Sequence, residues 1–593
     1  MCGITAVVSA DEEAAPLLLE GLRREEYRGY DSAGVAVLNG KGVISVRKDV
    51  GRVDRLEKRY KVAAIHGRVG IAHTRWATHG GVSQRNAHPH LSCEGKVAIV
   101  HNGIIDNYLE LKKKLEKNGH SFVSETDSEV ISHLVEEKYE EEKDPVKAVA
   151  KAAKEMDGQY AFVALFRDRN DILIGARYDA PLVVGVGGRT NFISSDVLAF
   201  LARTDRALFI ENKEIVELSA AGARVFGING KEVAAMRRVT HLAWELGSLS
   251  KQNYAHYTLK EIHEQPKTVG SVLEQDPEKL GGIAKALRGA RSVVLTAAGS
   301  SYHAALLMRS RLALEAKIRC ETILSGEFER ELPFVDEGTA LVAFSQSGET
   351  ADVLNAVKLA RQKNVGSVIS LVNAAGSSLA RQSDKTMLLN CGPEVGVAAT
   401  KSFTAQVMGG NLVVDEIVEK DTIGTRPRLS KMVEEALKTE ETMKELAHLY
   451  RNRSDFYFIA RGNNYPVALE GALKLKELSY IHAEGMPASE LKHGTLALIE
   501  KGTPVVVIAP EGGDEAGIIS NAQELSARGA KIIGVAQKPH PVFDHMVRVP
   551  KANESIAPIL DVIPLQLLAY FMATERKADP DYPRNLAKSV TVK

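Results

Sequence analysis

Apolar residues change their rhythm once along this chain of 593 residues, and that change bounds what it can fold into. From Met1 to about Leu218, short apolar runs alternate with turns: Ile4 to Val8, Gly34 to Leu38, Ala98 to His101 and Ala161 to Phe166. Helical stretches at Ala14 to Arg24 and Ser128 to Glu137 interrupt them. That spacing predicts an α+β fold with layered, mainly antiparallel sheets. Beyond Pro266 apolar strands alternate with helices, beginning with Val293 to Thr296, Ala340 to Phe344, Val368 to Val372 and Met387 to Leu389. Strand-helix alternation predicts α/β architecture with parallel, doubly wound sheets. The stretch between is polar and aromatic (Trp244, Tyr254, His256, Tyr257) and opens onto a helix near Lys260, so it reads as a linker.

The second half then restarts. Val293 to Leu306 reads VVLTAAGSSYHAAL and Phe456 to Leu469 reads FYFIARGNNYPVAL, sharing Ala297/Ala460, Gly299/Gly462, Tyr302/Tyr465, Ala305/Ala468 and Leu306/Leu469. An internal duplication follows, although any strand, glycine turn and helix share some of these letters. The expected division is a domain at 2–235, a linker at 236–265, two α/β domains at 266–430 and 431–580, and a tail at 581–593.

Charge and cysteine use narrow the partners. Lysine plus arginine (76) balances aspartate plus glutamate (76), which argues against nucleic acid or a membrane surface and for small molecules. Cys2, Cys93, Cys320 and Cys391 are too scattered for a disulfide framework and form no CxxC pair, so no metal and no cofactor is expected, and a reducing compartment fits. No leader pattern opens the chain and no apolar run is expected to approach the length of a membrane span, so a cytoplasmic protein is expected.

Cys2 carries the sharpest chemistry. Removal of Met1 would leave a thiol and an α-amine on one residue, and an amine that titrates near ~8 can accept the thiol proton. Its surroundings are CGI at Cys2, LRREEYRGYDSAG from Leu22, GIAHTRWATHG from Gly70, NAHPH from Asn86, HNGII from His101 and SETDSEVI from Ser124. In that order these closely resemble the glutaminase domain of class II, N-terminal-nucleophile amidotransferases. The resemblance implies that Arg75 pairs with the α-carboxylate of glutamine and Asp127 with its α-ammonium. It gives the oxyanion to Asn102 and the Gly103 N–H, and lets Arg28, Trp76, Thr78 and His79 support or line the pocket. Read without it, Arg75 is a surface ion pair, His79 a loop histidine and Asp127 the cap of the helix that TDSE opens.

Two hydroxyl-rich loops follow strands in the second half, Gly299 to Ser301 (GSS) and Ser345 to Thr350 (SQSGET), each placed to open a helix. Backbone N–H groups and hydroxyls at such a site suit a phosphate ester, although a serine-rich loop can simply cap its helix. SQSGET and the duplication resemble the sugar isomerase fold. The whole half is similar to the isomerase part of the glutamine:fructose-6-phosphate aminotransferases, including EQP from Glu264, ALEGALKLKELSYIHAE from Ala468, ELKHG from Glu490 and PRNLAKSVTV from Pro583. The resemblance implies phosphosugar contacts at Ser300, Ser301, Ser345, Gln346, Ser347 and Thr350, and sugar contacts at Val397 and the Ala587 backbone. It makes Lys588 the Schiff-base amine, His493 the ring-opening group, Glu477 the general base and Lys474 its charge partner. On spacing alone, Lys474 and Glu477 are a surface salt bridge and Lys588 an incidental lysine in a frayed tail.

The same resemblance implies glutamine and fructose 6-phosphate as substrates, and an internal ammonia channel gated by the tryptophan matching Trp76. It also implies at least a homodimer, with the histidine matching His493 supplied by the partner subunit. Ala298 and Ser300 depart from the family's usual cysteine and threonine, and GEFERELP from Gly326 and GMPAS from Gly485 also depart. Two other readings remain: an enzyme acting on another phosphosugar, or a sensor that binds one without turnover. The sensor could dispense with Cys2, Glu477, His493 and Lys588, yet all four are present.

Overall fold

A computed structural model describes residues 2–242, 250–512 and 514–590. Part of the expected linker, 243–249 with Trp244, lies outside the described residues, as do the last three positions of the expected tail. The chain divides into Met1–Gly247 with Ser589–Lys593, and Ser248–Lys588.

The first unit holds two antiparallel sheets, one of eight strands and one of seven. Side chains on a strand point alternately to its two faces, so each sheet can bury both. Strand Val97–Ile105 does so: Ala98 and Val100 join Ile4, Ala6 and Ile71 of the other sheet in one core. Val97 and Ile99 face Leu111, Val130, Leu134 and Val149 of covering helices. Helix Ala14–Glu25 covers the far face of the first sheet through Leu18, Leu19 and Leu22. The order is helix, sheet, sheet, helix. The first strand, Gly3–Ser9, runs antiparallel between Val69–Arg75 and Thr190–Ser194, with Gly3 opposite Thr74. That register brings Cys2 to the end of strand Val69–Arg75.

The second unit holds two five-stranded parallel sheets. In each the first strand lies between the second and third, with the fourth and fifth following outward. This is one of the two common doubly wound orders, used twice. Ser292–Ala297 and Asp455–Ala460 open the two sheets, and Gly299 and Gly462 take positive φ of 56° and 53° in the turns that follow. The letters shared along the sequence thus mark one turn geometry, which asks for glycine. Strand Cys320–Leu324 was not among the apolar runs; it forms the edge of its sheet and carries Glu321 and Thr322.

One helix corrects the sequence reading of apolar runs. Ala557–Glu575 is 19 residues long with mean hydropathy 1.5, long and apolar enough to cross a membrane by length and composition. Its apolar surface is instead buried in the unit, where Leu560, Ile563, Leu567 and Met572 pack in a core shared with Phe456, Phe458 and Leu475.

Candidate active sites

Around Cys2 the first unit builds a polar pocket wall. The Trp76 N–H donates to the Cys2 sulfur at 3.3 Å, and the Trp76 carbonyl lies 3.5 Å from it. The Cys2 carbonyl accepts from Arg28 Nε at 3.3 Å and from Asn102 Nδ2 at 3.0 Å. Arg28 is held in turn by Asp196 at 3.1 Å. Burial pushes the Cys2 thiol above its ordinary value, and neighbouring positive charge offsets this only in part. The sulfur needs a base to become a nucleophile.

Asn102 is tightly determined. Its Oδ1 lies 3.0 Å from His73 Nε2, which also reaches the His101 carbonyl at 2.9 Å. A ring nitrogen facing two acceptors carries the hydrogen, and burial holds His73 neutral, at about 3. Asn102 Nδ2 also donates to Ser195 Oγ at 2.7 Å, so both its hydrogens are committed, and serving an oxyanion means releasing one. Gly103 has φ of 126°, and a Cβ there would lie 1.9 Å from the Gln159 carbonyl oxygen.

Two residues stand differently from their dull readings. Arg75 is buried, and its guanidinium donates to the carbonyls of His79, Gly80 (3.0 Å) and Gly81 (3.4 Å), curling the loop after its strand. It is no surface ion pair. Asp127 does not cap the helix that follows, Glu129–Glu142; its Oδ2 accepts from the Ile105 N–H at 2.9 Å, tying the helix entrance to the strand of Asn102. Cys2 and Asp127 both lie close enough to Arg75 to interact with it electrostatically, so the three share one locality. Trp76 is half-buried with its ring edge-on to Tyr30; Thr78 is exposed, and His79 stacks edge-on with Tyr108 at 5.7 Å.

In the second unit both hydroxyl-rich loops leave the end of a strand and enter a helix, Ser300–Leu314 and Ala351–Gln362. Ser345 Oγ accepts from the Gly348 N–H at 3.0 Å and lies 3.2 Å from Thr350 Oγ1; Ser347 Oγ accepts from the Glu349 N–H at 3.1 Å. The Gln346 carbonyl accepts from Asn373 N–H at 3.2 Å. The turn needs Gly348, whose φ is 65° and where a Cβ would meet Ser377 Oγ at 2.1 Å. In the other loop Ser300 Oγ donates to Glu470 at 2.8 Å and Ser301 Oγ accepts from Gln406 at 2.9 Å.

Glu470 sits at the centre of a buried network. It also meets His303 Nδ1 at 2.7 Å and Lys474 at 3.4 Å, and Lys474 donates to Glu477 at 2.5 Å. Lys474 is 1% exposed and Glu477 22%. The surface reading of this pair is wrong, because the helix face they share packs inward. Burial would lower Lys474, yet the two carboxylates win and hold it above its ordinary value.

Lys588 is 3% exposed, no part of a frayed end. Its ammonium pairs with Glu394 and donates to the Gly396 carbonyl at 2.8 Å. Burial would raise Glu394, but the Lys588 charge and hydrogen bonds from Ser402 hold the carboxylate at about 2. The chain just before Lys588 is pinned by Asp581, which accepts from the N–H groups of Tyr257 and Thr258, each at 2.9 Å. Its carbonyl accepts from the Val397 N–H at 3.2 Å. Ala587 is half-buried beside Lys588. His493 stands exposed, and among the described residues no hydrogen bond joins it to Lys588, Glu477 or Lys474.

The chain is similar to known proteins along its whole length. The SIS domain family matches residues 286–414 and again 448–576, and the glutamine amidotransferase domain family matches residues 73–202. The glutamine–fructose-6-phosphate aminotransferase (isomerizing) of Thermococcus kodakarensis is 42% identical over 610 residues, spanning 100% of both chains. The chain belongs to that family. The counterpart in Pseudomonas syringae pv. tomato is 41% identical over 617 residues, again with 100% of each chain covered. The solved C-terminal domain of glucosamine-fructose-6-phosphate aminotransferase from Francisella tularensis is 32% identical with a TM-score of 0.52, covering 56% of this chain and 100% of that one.

For this member of the aminotransferase family, the residues that sequence reading missed are those holding the named ones. His73 and Ser195 grip Asn102, Glu394 grips Lys588, and Glu470 grips Ser300 and Lys474. Glu470 alone left a local signal, standing four residues before Lys474 on one helix face. Ser195 and Glu394 meet partners 93 and 194 residues away, which no local pattern encodes.

Proposed function

We propose that this chain takes the amide nitrogen of glutamine and uses it to aminate and isomerise fructose 6-phosphate, giving glucosamine 6-phosphate and glutamate. The observation that carries the reading is Lys588: a lysine five residues from the end of the sequence is buried and ion-paired in the unit that holds both hydroxyl-rich loops.

Cys2 would attack the glutamine carboxamide once its thiol proton is taken, by its own α-amine after Met1 is removed. Arg75 and Asp127 would hold the substrate's α-carboxylate and α-ammonium, and Asn102 with the Gly103 N–H would stabilise the oxyanion. Ammonia leaves, and water releases glutamate from the thioester. In the other half, the loops at Ser300–Ser301 and Ser345–Thr350 would seat the phosphate, with Val397 and Ala587 against the sugar. Lys588 would condense with the ketone of the opened sugar, losing water. Ammonia would add to that imine carbon and the Lys588 amine would leave, so that C2 carries the ammonia-derived imine; Glu477, kept beside Lys474, would then move the proton from C1 to C2. Exposure of His493 on its own chain supports a homodimer in which the partner supplies the ring-opening histidine. The division at 235, 265, 430 and 580 is part of this reading; the two SIS matches fall within its α/β segments.

The purified protein, given fructose 6-phosphate and glutamine, is expected to release glucosamine 6-phosphate and glutamate in equal amounts. Glutamate without amino sugar would overturn the synthase reading.

A further inference from the structure

Four side chains with metal-ligand chemistry converge in the first unit, and none belongs to either candidate site: the donor atoms of Cys93, His120, His133 and Glu136 all lie within 4.8 Å of one another. Cysteine spacing did not suggest it, because a single cysteine takes part. Cys93 sits in the turn between strands His90–Leu91 and Val97–Ile105, and His120 follows helix Tyr108–Lys117. His133 and Glu136 lie three apart on helix Glu129–Glu142 and share a face.

Three of the separations are close to those of a coordination sphere. Cys93 Sγ is 3.3 Å from His133 Nδ1 and 3.5 Å from His120 Nδ1, and the latter is 3.8 Å from Glu136 Oε2. Around a tetrahedral zinc, with Zn–S near 2.3 Å and Zn–N near 2.0–2.1 Å, sulfur and nitrogen donors stand about 3.6 Å apart and nitrogen and oxygen about 3.4 Å. A thiol–imidazole hydrogen bond would explain one of these contacts. It would not bring a second imidazole and a carboxylate to the same sulfur.

The surroundings orient each donor. The Ser121 N–H donates to Cys93 Sγ at 3.2 Å and fixes the position of the sulfur. Ser92 Oγ holds the other oxygen of Glu136 at 2.6 Å and leaves Oε2 facing the cluster. His133 is 1% exposed; its Nε2 has no hydrogen-bond partner among the described residues and lies 3.6 Å from Glu129 Oε1. His120 Nε2 lies 3.9 Å from Glu137 Oε2. Both rings therefore turn Nδ1 inward and Nε2 toward a carboxylate, as metal-bound histidines do. The cluster opens on a cleft of about 490 Å³ also lined by Glu137, Glu141 and Lys96, the last paired with Glu94 at 2.7 Å and Glu140 at 2.8 Å on the same wall.

We propose that Cys93, His120, His133 and Glu136 bind one divalent cation of the zinc class as a four-ligand structural site. One sulfur, two imidazoles and one carboxylate suit zinc and exclude a magnesium or calcium preference. Binding releases the Cys93 thiol proton to solvent and involves no change of oxidation state. The cation would clamp the turn before strand Val97–Ile105, which carries Asn102 and Gly103, to the helix that starts two residues after Asp127.

The test uses the full chain, freed of metal by a chelator and dialysed against zinc or cobalt. One equivalent per chain is expected at micromolar free metal or below, with a raised melting temperature. Cobalt should give a thiolate charge-transfer band and the intense visible bands of four-coordinate geometry. Cys93→Ser and His120→Ala should each weaken zinc binding by roughly 100-fold or more, and Glu137→Gln by about 10–100-fold. His120 lies in a loop, so its variant remains informative should Cys93→Ser fold poorly. Failure to bind at micromolar metal, a cobalt spectrum without the sulfur band, or full binding by His120→Ala would overturn the proposal. So would a Cys93 alkylation rate that zinc leaves unchanged.

Discussion

Gly103 has no substitute at its position. With φ at 126° and the Gln159 carbonyl where a Cβ would be, alanine must shift the strand that presents Asn102. Gly103→Ala is expected to cut glutamine hydrolysis by ~10²-fold or more, the size of losing one oxyanion donor, and to lower the melting temperature. A variant with unchanged hydrolysis in a glutaminase assay would show that this backbone position is not part of the oxyanion site. The motif around Gly103 was legible as letters, whereas the obstacle that makes glycine necessary comes from the neighbouring strand. Lys588 teaches the same at the other end of the sequence. Its position suggested a mobile tail, and only the fold supplies Glu394 and the Gly396 carbonyl to bury it against.

Among the elements, helix Ala557–Glu575 is the one whose composition misleads. Its length and hydropathy would suit a membrane, but it carries Asp561, buried with neither carboxyl oxygen hydrogen-bonded among the described residues. Burial alone raises this acid to about 8, so it is neutral in the fold at neutral pH. A native value above the unfolded one means that its contribution is full below about 4 and is lost as pH rises through about 8, because the unfolded chain ionises first. Asp561→Asn cannot ionise and is expected to gain on the wild type between about pH 4 and pH 8, by ~2–5 kcal/mol across that range. Denaturant midpoints taken along a pH series check this; parallel curves would show that the carboxyl is solvated in the native protein. Helix Glu129–Glu142 also shows where local reading stops, since Asp127 looked like its cap and instead binds the Ile105 N–H.

For the whole molecule, the two packed units imply separable chemistries. Cys2→Ala is expected to abolish glutamine-dependent synthesis while keeping, within a few-fold, the synthesis supported by high ammonia. Equal loss of both, measured as glucosamine 6-phosphate formed, would mean that the sugar site depends on the nucleophile. Much of the architecture was readable because strand and helix periods are local properties: antiparallel runs up to about Leu218, strand-helix alternation beyond Pro266, and a restart near Phe456 each need only neighbours in the chain. The cysteine, the hydroxyl-rich loops and the terminal lysine were likewise visible as residue types in their local context. What the sequence alone could not settle is which groups face one another. His73 and Ser195 around Asn102, Glu470 against Ser300, and Cys93 between two histidines all join residues far apart in the chain. Burial and charge pairing, which set the thiol of Cys2, the carboxylate of Glu394 and the neutral Asp561, exist only once those segments are packed together.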